Sequence, residues 1–117
     1  MTSLHELDAL LVEVAGLVHG SVPVPSWQSA TLHAKYTPDG SVSGHDFDYC
    51  LDDGTLDRGT VPPLAAIRQI KAATRKHWEA SSPRWHALHL TVTREGRIKA
   101  DWAYAEGYQE GDVLKRD

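Results

Sequence analysis

The spacing of apolar residues changes three times along this chain, and those changes limit the fold more than any other feature. Leu4, Leu7, Leu10, Leu11, Val14, Leu17 and Val18 recur at helical intervals and form one stripe. Ser3 and Glu6 make an S-x-x-E capping box at its start; Gly20 follows as a C-terminal stop, and Pro23 and Pro25 prevent continuation. The pattern predicts a helix over 3–19. From Trp27 the period falls to two. Gln28, Ala30, Leu32, Ala34 and Tyr36 share one face, and Trp27, Ser29, Thr31, His33 and Lys35 the other. Thr37-Pro38-Asp39-Gly40-Ser41 reads as a turn. A second strand then sets Ser43, His45, Phe47, Tyr49 and Leu51 against Val42, Gly44, Asp46, Asp48 and Cys50. The two form a hairpin over 27–51, antiparallel because its loop is short.

Helical spacing returns after Val61-Pro62-Pro63. Leu64, Ile67, Ile70, Thr74 and Trp78 lie on one stripe, predicting a helix over 62–80 that ends at Ser81-Ser82-Pro83. A second hairpin over 85–104 alternates His86, Leu88, Leu90 and Val92 with Trp85, Ala87, His89, Thr91 and Thr93. It turns at Arg94-Glu95-Gly96 and continues with Ile98, Ala100, Trp102 and Tyr104 opposite Lys99 and Asp101. Residues 106–117 form a polar tail. The order α-β-β-α-β-β in 117 residues predicts a single α+β domain. Its expected architecture is an antiparallel sheet of about four strands with two helices packed on one face. A short extra strand near Thr55–Gly59 also fits the pattern.

Composition narrows the function. Sixteen acids against twelve bases give a net charge of −4, which weighs against a general nucleic-acid binder. No apolar run approaches the ~18–20 residues of a membrane span, and Met1–Glu13 lacks the basic start of a signal peptide. The expected location is the cytoplasm. The single cysteine, Cys50, excludes an intramolecular disulfide and a cysteine zinc cluster. Of seven histidines only His86 and His89 are close in sequence, and on a strand that spacing puts them on opposite faces, against a shared metal. Asp46 and Asp48 share a strand face about 6.5–7 Å apart, where they could act as paired acids or hold a divalent ion. The stretch from Asp46 to Asp57 resembles a damaged calcium loop, but Leu51 stands where the sharp turn requires glycine. There is no G-x-S-x-G, Walker or G-x-G-x-x-G motif. The expectation is a protein that is not an enzyme, with no catalytic residues, metal or cofactor. A small metal-dependent hydrolase and a non-catalytic adaptor domain are the alternatives.

Charge is unevenly distributed. Thr37–Asp57 holds six acids and no Lys or Arg, whereas Arg68–Lys99 holds eight bases against two acids. The two segments either neutralise each other across the fold or sit as separate solvated faces, or the first hairpin steers a basic partner. In the second reading Asp39, Asp46, Asp48, Asp52, Asp53 and Asp57 are the partner contacts.

The order of elements and several short motifs resemble the YezG-like immunity proteins of bacterial polymorphic toxin and contact-dependent growth inhibition systems. The likeness runs over about residues 4–105. It comprises the N-terminal amphipathic helix, Pro25-Ser26-Trp27 leading into the first strand, and Phe47-Asp48-Tyr49 in the second. It continues with the second helix, the Trp-x-x-Leu-x-Leu run from Trp85 to Leu90, and a strand turned at Gly96 that ends Trp102-Ala103-Tyr104. Two positions depart from that pattern: Ala105-Glu106 follows Tyr104 where Asp is frequent, and Ile98 stands where Phe is favoured. The resemblance implies a non-catalytic antitoxin that binds a cognate toxin domain, often a nuclease, and blocks its active site or substrate path.

Overall fold

The computed structural model describes residues 4–58 and 60–104. Helix α1 (Leu4–Gly20) is followed by strands β1 (Trp27–Tyr36), β2 (Ser43–Leu51) and β3 (Leu56–Asp57). Helix α2 (Leu64–Ala80) then leads to β4 (Trp85–Thr93) and β5 (Ile98–Tyr104). The strands form one antiparallel sheet in the order β3-β2-β1-β4-β5, so the two hairpins join through β1 and β4. The α+β class is as expected. The sheet has five strands rather than about four, because Leu56 and Asp57 pair with Cys50 and Tyr49. The polar tail lies outside the described residues, as does Ser3 of the capping box.

Both helices cover the same face of the sheet. Val14, Ala15 and Val18 of α1 and Ile70, Ala73, Thr74 and Trp78 of α2 are buried. Beneath them lie Ala30, Leu32, Ala34, Tyr36, Phe47, Tyr49, Leu88, Leu90 and Val92, the alternate residues of the three central strands. The element ends differ from expectation in two ways. Gly20 does not adopt the left-handed conformation of a helix stop; Ser21 closes α1 instead, its N–H and hydroxyl both donating to the Val18 carbonyl at 3.2 Å. Helix α2 begins after both prolines rather than at 62, with Pro63 extended as its cap residue. Its first turn projects past the core, leaving Leu64 63% exposed.

Strict alternation puts Trp27 and Trp85 on the uncovered face, yet both are buried under the helices. A bulge follows each. Trp27 pairs with Leu51 and Ser29 with Cys50, so Gln28 is an extra residue; His86 is the extra residue between Trp85 and Ala87. One inserted residue reverses the alternation, and each tryptophan turns inward. Trp85 then donates its indole N–H to His77 Nδ1 at 3.1 Å and accepts the Trp78 indole N–H at its carbonyl, 2.8 Å away. Burial holds His77 below the usual histidine range, which suits a neutral ring accepting at Nδ1.

Candidate functional site

Among the described residues nothing covers the face of the sheet opposite the helices, and register places its side chains in rows across four strands. One row runs Asp46, His33, His89, Asp101; the next runs Asp48, Thr31, Thr91, Lys99. Directly opposed residues on neighbouring strands stand ~4.5–5.5 Å apart, so each row is a contiguous polar band. The chain folds this way locally because β1 and β4 alternate apolar residues inward with mostly polar residues, Thr and His at the centre, outward.

Hydrogen bonds fix the centre of this face. The His33 Nε2–H donates to Asp48 Oδ2 at 2.8 Å. His33 Nδ1 and His89 Nδ1 lie 2.7 Å apart. With its proton on Nε2, a neutral His33 accepts at Nδ1, so His89 carries its proton on Nδ1. The Thr31 and Thr91 hydroxyls bond each other at 3.0 Å. Burial, with help from His33 and Lys35, lowers the pKa of His89, and Asp101 opposes that. The result is a hydrogen-bonded chain, Asp48–His33–His89, across the three central strands of the sheet.

The six aspartates singled out above do not form one patch. Asp46 and Asp48 lie mid-strand on the open face, Asp46 exposed and Asp48 half-buried. Asp39 sits in the β1–β2 turn, where its Oδ1 accepts from the Thr37 and Ser41 hydroxyls and the Ser41 N–H, holding its pKa down to about 2. Asp52 and Asp53 lie at the opposite end of β2, about 30 Å away along nine residues. Asp52 pairs with Arg94 at 3.6 Å, and Asp53 accepts from the Thr55 hydroxyl and N–H, which lowers its pKa. Asp57 pairs with Tyr49, on the helix side, and binds the Thr60 N–H and hydroxyl. Four of the six are thus engaged in turns or at an end of the hairpin. Sequence reasoning missed Asp101, which the β4–β5 register brings into the same row as Asp46; its Lys-x-Asp alternation with Lys99 was the available signal.

Among the described residues, no group of three or more His, Cys, Asp or Glu side chains could hold a metal ion. The two Nδ1 atoms of His33 and His89 are closer than the roughly 3.3 Å that two nitrogens on one tetrahedral zinc require. No helix among the described residues is long and apolar enough to cross a membrane. No protein-family model matches the chain, and no curated protein matches it.

Proposed function

We propose that this protein is a cytoplasmic immunity protein, a non-catalytic antitoxin whose open sheet face covers a basic surface of a cognate toxin domain. The observation that carries the reading is the row Asp46–His33–His89–Asp101 with Asp48 beside it: three carboxylates on one open face of the sheet, Asp48 hydrogen-bonded to His33 and Asp101 4.0 Å from Lys99. A nuclease must present cationic groups to phosphate, and carboxylates fixed on strands need little ordering to occupy that surface. Resemblance to the YezG-like proteins supports the same partner class.

The test needs a candidate toxin domain, to be sought in the reading frames beside this chain's gene. Asp46→Lys combined with Asp101→Lys reverses two exposed charges without touching the Asp48–His33 bond. The double variant is expected to associate at least about tenfold more slowly and to lose protection in co-expression. Equal association and protection by parent and variant would overturn the acidic-face mechanism.

The Asp48–His33–His89 chain favours a second reading, since a carboxylate orienting one imidazole against another also serves general-base catalysis. A His89→Gln variant that keeps full protection separates the two, because binding needs the face while catalysis needs the imidazole.

A further inference from the structure

The outer edge of β2 is bare where β3 leaves it. Only Tyr49 and Cys50 of β2 pair with β3, whose chain then turns away as Asp57 captures the Thr60 N–H and hydroxyl. The hydrogen bonds at the strand's ends show which backbone groups are left. The Leu51 N–H bonds outward to Thr55, whereas the Val42 carbonyl and the Asp52 N–H bond toward β1, to Thr37 and Ser26. Odd-numbered residues therefore direct their backbone outward, and His45 and Phe47 present N–H and C=O groups to no neighbouring strand among the described residues. Alongside them runs a groove of about 510 Å³, bounded across from β2 by Arg58, Val61, Ile67 and Lys71. His45, whose buried Nδ1 has no hydrogen-bond partner among the described residues, lines this groove.

We infer that this groove receives an extended segment of a partner protein as an added strand beside His45 and Phe47, with basic residues on its open-face side and apolar residues on its helix side. The two rims dictate that chemistry. On the open-face side the new strand's side chains stand next to Asp46 and Asp48. On the helix side they meet Ile67 and the exposed Val61. Arg58 and Lys71 also border the groove, so a uniformly basic segment is repelled and an alternating one is favoured. A second copy pairing edge to edge would oppose its own Asp46 and Asp48 to those of the first. Main-chain bonds supply affinity in such strand addition and alternate side chains supply specificity. This goes beyond the acidic-face reading and stands without it, because backbone groups carry the binding.

The probe is a synthetic peptide of about six residues alternating Lys and Val, long enough to span the bare edge. It is titrated into the full chain with amide exchange followed by NMR. The His45 and Phe47 amides are expected to exchange at least about tenfold more slowly in the complex, while those of Asp46 and Asp48, already bonded toward β1, change little. The same peptide with its backbone nitrogens methylated keeps its charge and is expected not to bind. Val61→Lys is expected to weaken the unmodified peptide's binding about tenfold with the fold intact. Equal binding of the methylated peptide, or protection mapped to β1 and β4, would overturn the inference while leaving the acidic face in place. A dimer of the free chain that protects these same amides would assign the edge to a second copy and overturn it equally.

Discussion

At Gly40 the backbone has a φ of 75°, and a Cβ there would lie 2.6 Å from Cη2 and 2.9 Å from Cζ3 of Trp78. Its carbonyl accepts from Arg75 Nη1 at 2.9 Å, and that guanidinium lies over the Trp78 ring. Gly96 has a comparable φ of 95° and open space around it. Gly40→Ala is therefore expected to cost about 3 kcal/mol and Gly96→Ala about 1 kcal/mol, measured by urea denaturation. Equal costs would mean that strain alone matters and the ring contact does not. His45 supplies a second test. Burial, aided by Lys71 and opposed by Asp46, pushes its pKa down to about 4, and its Nε2 lies 3.4 Å from the Tyr36 hydroxyl. Between pH 6.5 and 4 the unfolded chain binds this proton and the folded one does not, so stability falls as pH falls through that window. His77, His86 and His89 are shifted the same way. His45→Gln is expected to remove about 2 kcal/mol of the loss between pH 7 and 4, and an unchanged slope would show that the other histidines account for it.

Element boundaries and faces were legible wherever periodicity ran unbroken. The α1 stripe from Leu11 to Val18, the alternation from Ala30 to Tyr36 and that from Leu88 to Val92 all face the core as their spacing predicts. Where one residue breaks the period, the reading failed. The bulges at Gln28 and His86 carry no local signature, because their effect is to let Trp27 and Trp85 reach the helices, a tertiary gain that outweighs strand regularity. Leu64 fits the α2 stripe by number but lies in a first turn where its side chain stays exposed. Leu64→Ser should change stability by no more than about 0.5 kcal/mol, whereas Ile70→Ala should cost about 2–5 kcal/mol. Denaturant midpoints for the two variants check the helix placement directly.

For the whole molecule, the hairpins were readable but their order in the sheet was not. Joining β1 to β4 assembles Asp46, His33, His89 and Asp101 from four strands and 56 positions of sequence between the two histidines. No spacing rule links them, so a candidate site built from neighbouring aspartates captured only Asp46 and Asp48. Charge also reads differently in three dimensions: Asp52 meets Arg94 from the opposite hairpin, and the acidic segment is partly neutralised at that end. If the open face steers a basic partner, association should slow several-fold as salt rises from about 50 mM to about 500 mM. In the Asp46→Lys, Asp101→Lys variant that dependence should flatten, as stopped-flow mixing would reveal.

All four tryptophans, Trp27, Trp78, Trp85 and Trp102, lie on the helix side of the sheet, and the lone thiol of Cys50 lies on the other. Indole emission therefore reports unfolding and is deaf to anything that settles on the far surface. A dye attached at Cys50 would hear the visitor and leave the aromatic signal as an independent monitor of integrity.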